Sequence, residues 1–391
     1  MKSKIQIAMK LLDTKKMPGP GKLTGWIAIF GFSIGCIAMV ISMSILNGFE
    51  EQVKNKIIGF EGDLRILGTR EWKNDLSAIN RIDGVLNAIS FKERRGVIIT
   101  NKGQRSMLKF KSIDFDSAAS FYDFDMFDFS NNSSLPKIAI GEVTAQKLNI
   151  SEGDIVKIMS PLDQNLSLGM PRIQPCIVGK IYKIQVLDLD DKIVFIPKEI
   201  GDKLFIRKKV PDGFDLRIIK SREMEIIKFI SAIMPHAQIF SWKDIHRNLF
   251  DAMRLEKIGA FIVLLLIIIV ACLNLVTTLI LIIAQKLRQF GVLKALGANN
   301  DYLKKIILNQ GVIIGGFSTF IGLLIGLSII LIQNIFGIVK LPKDIYFISE
   351  LPMIIYLSDI IFICFSIFSM IIIASMIAVR KISNIKLLQI L

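Results

Sequence analysis

Four long apolar runs constrain the fold of this chain more than any other feature. They cover residues 24–46, 258–284, 306–333 and 353–379. The first three contain no charged residue, and the fourth contains only Asp359. Even the shortest run would rise about 34 Å as a helix, which is enough to cross the hydrocarbon core of a bilayer. The sequence therefore predicts four transmembrane helices.

The basic residues concentrate beside these runs. Residues 1–23, 285–305 and 380–391 together hold fourteen Lys or Arg against two Asp, which is +12 of the net charge of +15. Positive charge beside membrane spans is typical of cytoplasmic segments. These three segments are therefore expected inside the cell, and residues 47–257 and 334–352 outside the cytoplasm. The charge thus indicates the topology of a multi-pass inner-membrane protein, not nucleic-acid binding.

Residues 47–257 are predicted to form a large α+β domain between the first two spans. Strand-like runs occur at Asp63–Leu67, Gly96–Thr100, Arg105–Lys111, Asp154–Met159, Cys176–Ile181, Lys192–Ile196 and Phe214–Ile219. Helical patterns occur at Trp72–Asn80, Glu142–Leu148, Pro197–Leu204 and Arg222–Met234. A hairpin is expected across Asn101–Gly103. A segment of this length can bury its own core, and two packed subdomains are an option.

Residues 1–23 precede the first span. Ile5, Met9 and Leu12 fall on one helical face with lysines elsewhere, which favours a short amphipathic helix on the membrane surface. A solvated basic arm is the alternative. The stretch MPGPG would separate this segment from the span.

The residues needed for catalysis or nucleotide binding do not form a recognisable pattern. There is no G-x-x-x-x-G-K-[ST] motif, and His236 and His246 have no cluster of Cys or carboxylates at metal-ligand spacing. Cys176 lies outside the apolar runs and is interpreted as a small core residue. Residues 114–128 are interpreted as an irregular, partly buried loop or edge structure. We therefore expect a non-catalytic chain that binds no cofactor itself.

The most specific local pattern is QKLRQFGVLKALGANN, within residues 285–305. Apolar residues recur there at helical spacing: Leu287, Phe290, Leu293 and Leu296. Basic residues lie between them, and Gly297 provides a C-terminal stop. This predicts a short amphipathic helix, which either docks another protein or rests on lipid.

This loop resembles the K/R-x-x-[DE]-I-x-[IV]-[LM]-[KR]-[AT]-[LI]-G-A element of the FtsX-like permeases, which work with separate ABC-type ATPases. Gln289 and Phe290 stand where that element has an acidic residue and isoleucine. Four further stretches resemble the lipoprotein-releasing (Lol) branch of the family. They lie in the expected order along the chain: residues 44–50, 139–161, 250–257 and 339–352.

The resemblance implies a complex of two permeases, identical or paralogous, with two copies of an ABC ATPase that binds ATP and Mg²⁺. Such a complex extracts acylated lipoproteins from the inner membrane and passes them to a soluble periplasmic carrier. The implied ATPase-docking residues are Leu287, Arg288, Phe290, Leu293, Lys294, Leu296 and Gly297.

Residues 160–175, SPLDQNLSLGMPRIQP, favour a protruding loop because they contain three Pro and one Gly. Their position resembles the hook by which one permease of a Lol pair recruits the carrier. An ordinary surface hairpin loop is the alternative. The residues assigned to the hook are Pro161, Leu166, Leu168, Met170, Pro171 and Arg172.

Polar residues and glycines within the spans suggest further roles. Asp359 would reach the membrane interface, pair with Lys257 or Lys343, or lie on an acyl-chain path. The candidates for a lipoprotein path are Met43, Leu46, Phe49, Asn274 and Asp359. Glycines at four-residue spacing, Gly311/Gly315 and Gly322/Gly326, predict close helix packing, with a pore lining as the alternative.

Other functions fit parts of the pattern. A MacB-type efflux permease or a signalling permease would share the spans and the loop. A permease that transmits ATPase motion to cell-wall hydrolases would too, although its outer domain is usually much smaller. A membrane-anchored enzyme fits least, because the sequence offers no site for it.

Overall fold

The computed structural model describes residues 19–68, 76–122, 135–164, 171–184, 191–207, 210–341 and 350–383. The chain divides into two units. The α+β unit is Gln52–Phe250, and the helical unit is the chain before and after it. The predicted amphipathic helix before residue 19, three hook residues (Leu166, Leu168, Met170) and Lys343 lie outside the described residues.

The helices, in chain order, are α1 (Gly19–Glu61), α2 (Leu76–Ile79), α3 (Phe115–Phe121), α4 (Glu142–Leu148), α5 (Lys198–Leu204), α6 (Glu223–Ile233), α7 (Trp242–Ile245), α8 (Arg247–Gln285), α9 (Leu287–Ala295), α10 (Asn300–Phe336) and α11 (Leu357–Ser383). The strands are β1 (Leu64–Leu67), β2 (Val85–Thr100), β3 (Arg105–Ile113), β4 (Lys137–Gly141), β5 (Ile155–Gln164), β6 (Pro171–Tyr182), β7 (Ile193–Pro197), β8 (Gly213–Ile218) and β9 (Gln238–Ser241).

The helical unit contains the predicted spans. Among the described residues, four helices are long and apolar enough to cross a membrane, namely α1, α8, α10 and α11. α1, α8 and α10 extend beyond both ends of their apolar runs, whereas α11 begins at Leu357, within its run, and extends past its end. The prediction of four transmembrane helices is therefore confirmed.

The glycines of α10 let its neighbours approach closely. A Cβ built on Gly315 would lie 2.6 Å from Ile371 on α11, and one built on Gly322 would lie 2.7 Å from Cys36 on α1. These distances are too short for any larger side chain. The predicted close packing by small residues is confirmed.

The first half of the α+β unit is a four-stranded antiparallel sheet in the order β2-β8-β1-β9. β1 and β2 run parallel with β8 between them, and β8 and β9 run parallel with β1 between them. This is the split β-α-β arrangement. Ile226 and Ile230 of α6 are buried against Leu64 and Leu216 of the sheet.

The second half is a closed six-stranded barrel. Its strands pair in the order β2-β3-β7-β4-β6-β5 and return to β2. Closure leaves no free strand edge, and the interior is filled by apolar side chains including Ile98, Phe110 and Val194. β2 serves both halves, because Phe91 pairs with β8 and residues 92–99 pair with β3. The suggested division into two packed subdomains corresponds to this arrangement.

Most predicted elements of this unit are confirmed. The α+β class, the seven strands and the hairpin are all present, and Gly103 adopts φ +82° in the hairpin turn. Three of the predicted helices match α4, α5 and α6 within one residue. Of the predicted helix Trp72–Asn80, the described part is helical only over Leu76–Ile79.

Two expectations about this unit were wrong or incomplete. Residues 115–121 form helix α3, not irregular loop, because Ala118 and Phe121 fall on one helical face and pack into the core. The hydroxyl of Ser117 donates to the Asp114 carboxylate at 2.6 Å and steadies the first turn. Strands β4 and β9 were not predicted, and β2 begins eleven residues earlier than expected, at Val85.

Candidate functional site

Helix α9, between the second and third spans, is held by its inner face. Phe290 is 3% exposed in a cluster with Ile283, Leu303, Ile306 and Ile307, and Leu293 packs against it. The opposite face is open: Val292 is 54% exposed and Leu296 is 80% exposed. Leu287 and Lys294 are half-buried, and Arg288 is exposed. The predicted docking residues therefore divide into an anchoring set and an outward-facing set.

The C-terminus of α9 is closed by Gly297. The amide of Gly297 donates to the Lys294 carbonyl, and the amide of Ala298 donates to the Leu293 carbonyl, each at 3.0 Å. Gly297 has φ +91°, so the pattern is a Schellman motif, which favours glycine. The predicted helix stop at Gly297 is confirmed.

The hairpin of β5 and β6 carries the predicted hook. Residues 165–170 at its tip are outside the described residues, so only the arms can be placed. Pro161 is half-buried on β5, Pro171 begins β6, and Arg172 is exposed on β6. The structure thus brings the two arms together by strand pairing.

An apolar row crosses the hairpin arms and the two strands beside them. Val97 of β2 lies opposite Met107 of β3 and Met159 of β5, and Met159 lies opposite Ile173 of β6. Directly opposite residues share one face of a sheet. Met107 is 70% exposed and Ile173 is 53% exposed. We call these four residues the apolar row.

Basic residues border the apolar row. Ile99 lies opposite Arg105 and Lys157, both exposed, and Arg95 lies opposite Lys109. The row and its border form a surface with an apolar centre and positive charge around it. The sequence analysis assigned the hook within residues 160–175 but did not find the row, because the row depends on the register between four strands.

In the helical unit, residues 44–48 of α1 are fixed to the start of α11 and to the segment that precedes it. The Asn47 side-chain amide donates to the Asp359 carboxylate at 2.5 Å, and the Ile354 amide donates to the Ser44 carbonyl at 3.0 Å. A Cβ on Gly48 would lie 2.2 Å from the Pro352 carbonyl oxygen. The motif stretch 44–50 therefore meets the last residue of the stretch 339–352, Pro352, in space. Sequence reasoning noted both stretches but not this contact.

Of the two predicted partners of Asp359, Lys257 is wrong, and Lys343 lies outside the described residues. Lys257 pairs with Glu50 at 3.4 Å, and Asp359 is bound by Asn47. The partner is 312 residues away in the chain, so no local pattern could identify it.

The remaining candidates for the lipoprotein path differ in how far they are buried. Met43 is 7% exposed in the helical core, whereas Leu46 and Phe49 are half-buried. Asn274 is exposed, and its carbonyl accepts hydrogen bonds from Thr277 and Thr278.

The interior of the α+β unit contains a network of charged side chains that the sequence did not indicate. Asp215 of β8 accepts from Arg65 Nε at 2.7 Å and from Lys111 Nζ at 2.6 Å. Arg65 also lies 3.5 Å from Glu93, and Lys109 Nζ lies 2.5 Å from the same carboxylate. Arg65 and Asp215 belong to the four-stranded sheet, and Lys111 belongs to the barrel. The network therefore joins the two halves of the unit.

Burial and charge act in opposite directions on these groups. Burial lowers the pKa of Lys111, but the Asp215 carboxylate more than compensates and raises that pKa above its usual value. Arg65 follows the same pattern, since Asp215, Glu61 and Glu93 raise its pKa against the effect of burial. Burial raises the pKa of Tyr122 to about 12. Both cations stay charged inside the unit.

Comparisons with known proteins identify relatives that match about nine tenths of the chain. Residues 261–387 match the family model described as FtsX-like permease C-terminal. The lipoprotein-releasing system transmembrane protein LolC of Neisseria meningitidis is 23% identical over 384 residues, and LolE of Haemophilus influenzae is 21% identical over 396. The matches cover 90% and 92% of each chain, respectively.

Among solved structures, the periplasmic region of MacB from Actinobacillus actinomycetemcomitans covers 51% of this chain and 97% of its own, with TM-score 0.32 and 12% identity. The extracellular domain of the transporter YknZ covers 43% of this chain and 87% of its own, with TM-score 0.29 and 13% identity.

Proposed function

We propose that this FtsX-like permease, a relative of LolC and LolE, is the membrane subunit of an ATP-driven complex that releases lipoproteins from the inner membrane. The family model and the curated relatives confirm the resemblance that the sequence motifs suggested. The partners of the complex are an ABC ATPase, a second permease copy or paralogue, and a soluble carrier.

The apolar row is the observation that carries the proposal. Most of an ordinary sheet face that meets water is polar, whereas here Met107 and Ile173 remain largely exposed. Contiguous exposed apolar surface with a polar border is typical of a protein-binding site. A carrier that shields acyl chains needs such a partner surface, and the row crosses both arms of the predicted hook at Met159 and Ile173.

The ATPase is proposed to dock on the outward face of α9. Phe290 and Leu293 hold the helix to its own unit, so motion of the docked protein would pass to α8 and α10 through that contact. Arg288, Val292 and Leu296 remain for the partner. Resting on lipid is the competing role of this face, and the experiments below distinguish the two.

The energy of lipid anchoring explains why an ATPase is required. Each buried CH₂ of an acyl chain contributes about 0.8 kcal/mol, so a multiply acylated protein stays in the membrane without external work. In the proposed complex, the partner ATPase binds and hydrolyses ATP. This chain transmits the resulting motion and is itself non-catalytic.

Co-purification with a tagged chain tests the proposal. We expect an ABC ATPase and a soluble lipid-binding carrier to accompany the native protein. Met107→Asp should remove the carrier and retain the ATPase, because it places a charge in the apolar row. Leu86→Asp is the matched control: Leu86 is 67% exposed on the other half of β2, and its replacement should retain both partners.

The second arm of the experiment concerns α9. Leu296→Asp should remove the ATPase and retain the carrier. Ile338→Asp, at a residue 67% exposed just beyond the opposite end of α10, should retain both. If a peptidoglycan hydrolase occupies the carrier's place, the function is that of a cell-wall regulator. If Leu296→Asp leaves ATPase binding unchanged, α9 rests on lipid.

A further inference from the structure

A cleft in the α+β unit has no role in the proposal above. Its volume is about 510 Å³, and it opens where β2 leaves the four-stranded sheet and enters the barrel. The residues around it are Leu67, Phe91, Glu93, Arg94, Arg95, Lys109 and Asp212. A cleft of this size at the junction of two subdomains matches the usual position and size of ligand sites.

The cleft combines an apolar floor with a charged rim. Phe91 forms the floor and is 2% exposed. The Arg65 guanidinium lies 4.9 Å from its ring centroid and holds the ring in place. Glu93 contacts Lys109, and Asp212 accepts from the Glu93 amide at 2.7 Å. The two carboxylates are thus held in place by neighbours.

The arginines of the rim differ in how they are held. Arg94 Nε lies 3.3 Å from Asp163, which restrains its guanidinium. Arg95 is exposed, and its side chain makes no hydrogen bond or ion pair within the described part of the chain. Its planar group of donors is therefore available for a carboxylate.

The mixture of charges decides which ligand fits. A phosphate, free or in a lipid headgroup, offers acceptor oxygens to Arg95 and Lys109 but no N–H donor to Glu93 and Asp212. A peptide segment suits both signs, because an ionised carboxylate has about four acceptor positions and can still accept backbone N–H groups. Acidic side chains of the same segment would meet Arg94 and Arg95.

We propose that this cleft binds an extended acidic peptide segment, and that in the complex this is the polypeptide of the cargo beside its lipid anchor. The second clause rests on the proposed function. Binding would hold the cargo protein to the permease while its acyl chains leave the membrane, in addition to any contact made by the chains themselves.

The test uses the purified full-length chain in detergent without ATPase or carrier. The probe is a fluorescent peptide of about eight residues containing Asp, Ser and Gly, and its match replaces each Asp with Asn. We expect saturable binding of the acidic peptide only. Arg95→Glu should weaken it about tenfold or more, since a hydrogen bond to a charged group contributes about 1.5–3 kcal/mol.

Two control variants make the result specific. Lys198→Glu makes the same change of net charge at an exposed residue on α5 and should leave peptide binding unchanged. Met107→Asp should also leave it unchanged while it removes the carrier. Equal binding of the Asn peptide, an equal effect of Lys198→Glu, or competition by phosphatidylglycerol vesicles as strong as by unlabelled peptide would overturn the proposal.

The outcomes separate this site from the proposed function. Loss of ATPase and carrier association with intact peptide binding would refute the complex but retain the peptide site. Normal association of both partners without acidic-peptide binding would refute the peptide site alone.

Discussion

Gly48 shows how one residue fixes the contact between α1 and the segment before α11. Its Cα lies so close to Pro352 that an added Cβ would meet backbone atoms at 2.2 and 2.6 Å. Gly48→Ala should gain about 1 kcal/mol from helix propensity but lose about 1–3 kcal/mol from overpacking, and a backbone contact cannot relax as a side chain can. We therefore expect a lower melting temperature in detergent.

Gly316 provides the control for this prediction. It lies in the interior of α10, and a Cβ there would meet nothing within 4 Å. Gly316→Ala should keep or raise the melting temperature. Equal melting temperatures for the two variants would contradict the contact at Gly48.

Replacing Asp215 and replacing Lys111 should lower the free energy of unfolding by different amounts. Asp215→Asn leaves both Arg65 and Lys111 without their common carboxylate inside the unit, and breaking such a buried pair costs about 3–5 kcal/mol. Lys111→Met leaves the bidentate contact of Arg65 with Asp215, and the new side chain lies among the rings of Phe91, Tyr122 and Phe195. Lys111→Met should therefore lower the free energy of unfolding clearly less than Asp215→Asn does.

Urea unfolding of the full-length chain, followed by tryptophan fluorescence, measures both variants. Trp242 lies in the α+β unit and reports on its unfolding. The expected order of midpoints is native, then Lys111→Met, then Asp215→Asn. The reverse order for the two variants would show that the lysine, not the carboxylate, is the central group.

The elements show which features local sequence can predict. α4 and α6 have a helical apolar face and were located within one residue, and the Gly297 stop of α9 follows from the rule for left-handed caps. β4 and β9 have only five and four residues, and each is followed directly by a helix. Such short runs carry too little periodicity to be recognised.

β2 illustrates a different limit. Its two halves pair with different sheets, so the buried side of the strand changes along its sixteen residues and no single alternation persists. At Gly96 a Cβ would lie 2.1 Å from the Phe110 ring and 2.6 Å from the Met159 carbonyl oxygen. The glycine is required by this close approach, which only the tertiary structure reveals.

The candidate sites follow the same division. The position of α9 was predictable because its apolar spacing and its glycine stop lie within one short segment. The anchoring role of Phe290 was not, since it depends on α10 residues that are distant in sequence. The apolar row and the rim of the cleft require the register of several strands, and no single segment encodes that register.

At the scale of the whole molecule, charge predicts on which side of the membrane α9 and the α+β unit lie. Three segments beside the spans hold +12 of the net +15. The positive-inside rule then predicts that α9 lies in the cytoplasm and that the α+β unit lies outside it. Cysteine labelling in intact cells can test this orientation, because both regions offer highly exposed positions.

The labelling experiment needs a chain whose native cysteines do not react. Cys36, Cys176 and Cys272 are buried, and the half-buried Cys364 can be replaced by serine. In that background, Met107→Cys should react with a membrane-impermeant maleimide in cells whose outer membrane alone is permeabilised. Leu296→Cys should react only after the inner membrane is opened, because 80% exposure leaves the bilayer as the only barrier. Labelling in the opposite order would show that the topology is inverted. A cytoplasmic ATPase could then not reach α9.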